Sequence, residues 1–161
     1  MRELADHQRV VTLRALSRAA DAPRIVALGQ SMFGESRFAR LGFDRDLADS
    51  YAARITADPL CIGFGAFDGE DLVGMAVGAC GATLPFSRAL VAHEHLLYIA
   101  PTHREPWLAS RLIRAFIEEA ERRGARDIVF SNGTGYQPER VGKLFQLCGL
   151  THVGGLYVKE I

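Results

Sequence analysis

Apolar positions along the chain follow two periods, and the switches between them mark the elements. Gln8 to Ala15 is β-branched and partly alternating, which predicts a first strand. Asp21, with Pro23 just after it, predicts a helix cap, and Ile25, Val26, Leu28 and Met32 give that helix an apolar face. Gly34 to Gly42 reads as a loop. Asp44 predicts the cap of a second helix to about Thr56, with Leu47, Tyr51 and Ile55 spaced by four. Leu60–Phe67 and Leu72–Cys80 read as a hairpin around Asp68-Gly69, and Val91–Ala100 as a further strand. Pro106 opens a helix to about Arg123, whose Leu108, Leu112, Ile113, Phe116, Ile117 and Ala120 form one apolar stripe. Gly124 closes it. Asp127–Ser131 predicts a strand, Asn132–Gly135 a loop and Pro138 to Gly149 a helix. Thr151–Val153 and Leu156–Ile161, joined by Gly154-Gly155, read as a closing hairpin.

The predicted order is β–α–α–β–β–β–α–β–α–β–β, a mixed α/β chain on one central sheet. The 161 residues fit one domain, 1–161, with no repeat, low-complexity tract or linker to divide it. No apolar run approaches the ~20 residues of a membrane helix, and Met1 to Val11 lacks a signal-peptide core. Cys61, Cys80 and Cys148 are odd in number and scattered, which fits a reducing cytoplasm better than a disulfide framework or a zinc site.

Charge narrows the partners. Nineteen basic residues balance 19 acidic ones, so no broad phosphate-neutralising surface of the kind DNA binders carry is expected. Of the 19 basic residues, 17 are Arg, which an Arg-favouring codon usage accounts for. Residues 1–80 carry a net −2 and residues 81–161 a net +2. The positive half contains the junction from Leu96 to Arg123, where a strand, a short loop and a helix N-terminus can face an anion.

Leu97-Tyr98-Ile99-Ala100-Pro101-Thr102-His103-Arg104, followed by a helix carrying Leu112-Ile113, resembles the fourth strand and acyl-CoA pyrophosphate loop of the GNAT acyltransferase superfamily. Leu144-Phe145-Gln146-Leu147-Cys148-Gly149-Leu150 resembles that superfamily's late helix. Met32–Ser36, Phe43-Asp44 and Val153–Lys159 are similar to small GNAT-like proteins often encoded by phages. The resemblance spans nearly the whole chain. It implies a GNAT-like fold: one mostly antiparallel sheet with a splayed parallel pair, flanked by about four helices. It implies acetyl-CoA or another acyl-CoA as co-substrate, no metal, and an N-acyltransferase acting on a small-molecule or peptide amine. It is also compatible with a homodimer.

Two departures from the family pattern stand out. The loop usually reads Arg/Gln-x-x-Gly-x-Gly/Ala, and here only Arg104 and Ala109 match. Glu105 adds a negative charge, Pro106 removes an N–H, and Trp107 stands where glycine lets backbone approach phosphate. Each change is expected to weaken a pyrophosphate site, leaving the amides of Leu108, Ala109 and Ser110. The family's late-helix Tyr, which protonates the leaving thiolate, is replaced by Phe145. Tyr136 is the nearest substitute, with Cys148 and Tyr157 as others.

The resemblance then assigns roles. Tyr98, Ile99, Arg104, Trp107, Leu108, Ala109, Ser110 and Asn132 are donor-side positions, and Glu35, Ser36 and His95 acceptor-side positions. Glu94 is the general base, or else a strand carboxylate paired with an Arg. His95 is the alternative base. His93 and His95, two apart, share a strand face and lack a clear third metal ligand. Asn132 bonds the pantetheine arm or simply makes an Asn-Gly turn. Trp107 stacks on adenine, shields the loop or sits in the core. His103 faces solvent. Glu35-Ser36 lines the acceptor side or is a solvated helix end. Two other readings keep the fold: a non-standard donor modifying a nucleic-acid base, and a non-catalytic acyl-CoA-binding or structural module.

Overall fold

The computed structural model describes residues 10–161. Five strands form one sheet in chain order: β1 (Val11–Ala15), β2 (Cys61–Asp68), β3 (Asp71–Gly81), β4 (Val91–Ile99) and β5 (Asp127–Val129). Successive pairs are antiparallel except β4 with β5, which is parallel. The helices are α1 (Ala22–Glu35), α2 (Arg45–Ala57), α3 (Pro106–Arg122) and α4 (Pro138–Leu147). The mixed sheet with a parallel pair and four helices is the expected fold.

The sheet is covered on both faces. Leu16, Ile25, Met32, Ile55, Met75 and Val77 make the core under α1 and α2. Ile62, Ala66, Val73, Leu108, Leu112 and Phe116 make the core under α3. The α3 stripe is buried as its period predicts, with Ile117 at its edge. Asp44 caps α2 by accepting from the Leu47 amide at 3.0 Å, and Gly124 ends α3 at φ +83.

Several expectations need correction. Gln8 and Arg9 lie outside the described residues, and β1 begins at Val11. Asp21 does not cap α1. Its backbone is helical (φ −80, ψ −23) rather than extended, and its fully buried carboxylate takes two 2.8 Å bonds from Arg14. The hairpin turn is Gly69-Glu70, one residue later than Asp68-Gly69. Residues 34–42 are not an open loop: α1 continues to Glu35, and a 3₁₀ turn at Arg37–Leu41 follows. Ser36 starts that turn by accepting from the Phe38 amide at 3.2 Å.

The closing hairpin is absent. Residues 151–161 carry no helix, strand or turn, and all are exposed. Three residues on one arm and Gly154-Gly155 at the bend supply too little side-chain contact, and an isolated hairpin is marginal in water.

Candidate active site

A bulge in the middle of the sheet makes the site. β3 and β4 shift register between Val77 and Gly78, so that Leu96 and Glu94 are paired and His95 is the extra residue. Gly78 is required there, because a Cβ would lie 2.0 Å from the His93 carbonyl oxygen. Beyond the bulge β4 leaves β5, whose pairing stops at His93–Val129. The gap opens into a cavity of about 570 Å³. Its walls are the outer half of β4, the end of α1, the start of α3, and residues from Ser131 into α4.

Polar groups of β4 face this gap. The Ala100 amide donates to Val73 on the β3 side at 2.8 Å. By strand alternation, Leu97 and Ile99 point their amides and carbonyls toward the gap. The Ile99 carbonyl accepts there from Arg104 Nε at 2.9 Å. Glu94, 9% exposed, sits at the inner end and accepts from the Ser131 amide at 3.3 Å. Burial pushes its pKa up to about 7, with the Ser131 bond opposing the rise. Among the described residues, this carboxylate is not paired with any arginine.

At the outer end Arg104 collects its neighbours. It forms a short ion pair with Glu35 and donates to the Tyr136 hydroxyl at 3.3 Å. Its guanidinium lies 5.4 Å from the Tyr98 ring centroid and 5.0 Å from that of Tyr136. Tyr98 donates to Glu35 Oε1 at 2.6 Å. Arg104, then Tyr98, holds the Glu35 carboxyl below its usual range. Burial, then Glu35, pushes the Tyr98 phenol up to about 12. The Tyr136 hydroxyl also accepts from Gln137 Nε2 at 3.2 Å. With two donors on its oxygen, its own proton is free to point into the cavity.

Other expected residues are distributed unevenly. Ser36 lines the cavity with its hydroxyl engaged by the Phe33 carbonyl and the Phe38 amide. Asn132 lines it too, but its amide donates to the Tyr136 carbonyl at 2.7 Å and accepts from Thr134, so it holds the loop. His95 reaches the wall and bonds Tyr51 at 3.1 Å. Desolvation, then His93, keeps its pKa low. The two histidines do not act as a pair, since His93 contacts Thr83 at 3.4 Å. Among the described residues no group of three potential ligands could hold a metal.

The structure places the loop residues as follows. The Leu108 side chain is core, and its amide and that of Ala109 both donate to the Glu105 carbonyl. In the first turn of α3 the Trp107 amide is the donor left without a backbone acceptor, Pro106 having none. Ser110 turns its hydroxyl back to the Pro106 carbonyl. The Trp107 side chain is 46% exposed, not core, with Arg111 over its ring at 5.7 Å. His103 is not solvent-facing: it bonds Asp68 at 3.0 Å. Cys148 and Tyr157 lie outside the cavity walls.

Sequence reasoning missed three contributors. Ser131 supplies the amide to Glu94, Gln137 supports Tyr136, and Phe38 helps form the apolar wall. Ser131 stood at the end of the predicted strand 127–131, which β5 leaves at Val129.

A sheet parted at a bulge, with free strand amides beside a buried carboxylate, is the architecture of an acyltransferase. The family model described as "Acetyltransferase (GNAT) family" matches residues 30–149, and the chain belongs to that family. No curated protein matches it. Among solved structures, an aminoglycoside N-acetyltransferase in complex with CoA is similar at TM-score 0.74 and 14% identity. That match covers 98% of this chain and 99% of the other. A ribosomal-protein-alanine N-acetyltransferase from Brucella melitensis biovar Abortus 2308 is similar at TM-score 0.63 and 21% identity, covering 94% and 98%. An acetyltransferase of Trypanosoma brucei is similar at TM-score 0.70 and 14% identity, covering 94% and 100%. At these identities the likeness carries the fold alone.

Proposed function

We propose that this acetyltransferase-family protein transfers an acetyl group from acetyl-CoA to the amine of a small molecule or peptide. The observation that carries this is Glu94, a buried carboxylate with a pKa of about 7 at the inner end of the β4–β5 gap. The thioester lies along β4, its carbonyl oxygen taking the amide of Ile99 or Leu97. The amine nitrogen attacks the carbonyl carbon, and Glu94 accepts the proton that nitrogen sheds. The C–S bond then breaks, and Tyr136 gives its proton to the departing thiolate. Tyr136 regains a proton from solvent. Holding both reactants in one cavity supplies much of the acceleration.

Donor binding has its own chemistry. Arg104, Arg140 and Lys143 are the cations that line the cavity, and the Trp107 amide at the α3 N-terminus can meet a phosphate oxygen. For Arg104 to do so, the donor has to displace Glu35. Freed from Arg104, Glu35 faces the acceptor side and can hold an ammonium group there.

Calorimetry with acetyl-CoA and CoA, followed by a thiol-release assay over an amine panel, tests this reading. Saturable binding and amine-dependent thiol release are expected. No binding at millimolar ligand overturns it.

One observation favours a different donor. Arg104 and the amides of Leu108 and Ala109 are all engaged within the chain. A donor with fewer phosphates than CoA, or none, would need less of that loop. Binding of an acyl pantetheine without the nucleotide, as tight as acetyl-CoA, would select this second reading.

A further inference from the structure

Pairing of β5 with β4 stops at Val129, and residues 131–137 run on with no strand to hold them. This segment carries the Ser131 amide that meets Glu94 and the Tyr136 hydroxyl assigned to the thiolate. Its internal bonds set its shape. The Gly135 amide donates to the Asn132 carbonyl at 3.1 Å, and the Asn132 side-chain amide to the Tyr136 carbonyl at 2.7 Å. The Thr134 hydroxyl donates to Asn132 Oδ1 at 3.1 Å. Gln137 then turns the chain into α4 at φ +37, a conformation that a residue other than glycine keeps only when its surroundings hold it. None of these bonds fixes where the loop stands relative to the cavity.

A bond from the opposite wall does. Arg37 Nε donates to the Gly133 carbonyl at 2.8 Å, across 96 positions of chain. Among the described residues, the other hydrogen bonds that tie this segment to elements before it are Ser131 to Glu94 and Arg104 to the Tyr136 hydroxyl. The first ends on the base, and the second starts from the residue that a phosphate would draw away. Arg37 is the link that the reaction leaves in place. It is itself well seated. Ser36 opens the turn at Arg37–Leu41 with its hydroxyl between the Phe33 carbonyl and the Phe38 amide. The half-buried guanidinium lies over the Phe38 ring, 4.3 Å from its centroid. A stacked, planar guanidinium gives up less freedom for its hydrogen bond than a solvated ammonium would.

We propose that Arg37 is a positioning residue: it ties the loop 132–136 to the acceptor-side wall and thereby holds the Tyr136 hydroxyl where the sulfur departs. The inference rests on the acyl-transfer reading. Arg37 carries no proton in the reaction, because its guanidinium stays charged throughout. Its effect falls on the rate. A proton donor displaced by about an ångström slows the chemical step, while the donor's contacts at α3 are untouched.

Arg37→Met keeps an apolar stem over Phe38 and removes the hydrogen-bond donor. Hydrogen–deuterium exchange on the free protein is expected to quicken at 132–136 and to stay slow in β3 and β4. In the thiol-release assay kcat is expected to fall roughly 10- to 100-fold, with the KM for acetyl-CoA within about twofold of the parent. In a Tyr136→Phe background the same change is expected to alter kcat by less than about twofold, because the group it positions is gone. Arg37→Lys keeps a donor and is expected to recover part of the rate; where Arg37→Met fails to fold, the same cycle run with Arg37→Lys decides. Unchanged exchange at 132–136 overturns the proposal. So do losses that multiply in the double variant, and that result leaves the acyl-transfer reading standing. A Tyr136→Phe variant with the parent's kcat overturns the acid assignment and this inference together. A parent that releases no thiol with any amine removes the acyl-transfer reading and this inference with it.

Discussion

Arg104 and Glu35, 69 positions apart in the chain, form an ion pair that bridges the mouth of the cavity. Tyr98 donates to the same carboxylate, and the Ile99 carbonyl and Tyr136 hydroxyl hold the guanidinium. An incoming polyanion therefore competes with a carboxylate already in place. Arg104→Ala is expected to weaken acetyl-CoA binding by roughly ten- to a hundred-fold, the worth of a charged hydrogen bond. Glu35→Gln is expected to tighten CoA binding while raising the acceptor KM. Calorimetry and steady-state kinetics on the two variants measure both.

Glu94 makes activity depend on pH. A base must be ionised, so kcat/KM is expected to rise with pH through about 7. Glu94→Gln removes that limb and lowers kcat by roughly 10²–10⁴-fold. Its effect on stability has the opposite sign. A carboxyl whose folded pKa is raised stabilises the fold while protonated, and that contribution is lost as pH rises through about 7. Glu94→Gln is thus expected to stabilise the protein at pH 8–9, by up to about 3 kcal/mol, and to be nearly neutral at pH 4. Thermal melts across that range, alongside the rate profile, read it out.

Tyr136 offers a sharper kinetic test. Tyr136→Phe keeps the ring beside Arg104 and removes the proton. It is expected to lower kcat by roughly 10²-fold or more, with the KM for acetyl-CoA changed little. Calorimetry of the amine on the variant, beside the kinetics, separates proton delivery from amine binding.

Asp21 predicts a stability effect unconnected with the site. Its carboxylate is fully buried and held below its usual range by Arg14. Arg14→Met removes both hydrogen bonds from that charge, leaving Arg24 at 3.8 Å as its remaining cation, and is expected to cost about 2–4 kcal/mol at neutral pH. A lowered pKa means the pairing acts fully above the ordinary carboxyl range and is lost as pH falls through the folded value. The gap between variant and parent in urea melts should therefore narrow toward acid pH.

Gly78 links the fold to the cleft. A methyl group there meets the His93 carbonyl at 2.0 Å, a backbone atom held in the sheet. Gly78→Ala is expected to destabilise the protein by about 1–3 kcal/mol and to reduce CoA affinity, by forcing β4 out of its bulged path. Denaturant unfolding and calorimetry on one sample test both parts.

The sequence by itself determined the elements whose information is local. The α3 stripe, the Asp44 cap, the Gly124 stop and the hairpin strands follow from side-chain period and turn chemistry within a few residues. Arg104 was legible as a candidate from the family's loop pattern, Glu94 from its place on the strand leading into that loop, and Tyr136 as the nearest tyrosine to the helix where Phe145 stands. Tertiary structure decided what each one meets. Arg14 captured Asp21 across a strand–helix corner and took it from the cap. The bulge opposite Gly78 set which β4 groups face the gap, a matter of register that no single strand carries. Glu35 reached Arg104 only once α1 had packed over β4. The tail from Thr151 has strand-forming residues, yet among the described residues it pairs with none. A strand needs an edge to join, and sequence period says nothing about where that edge lies.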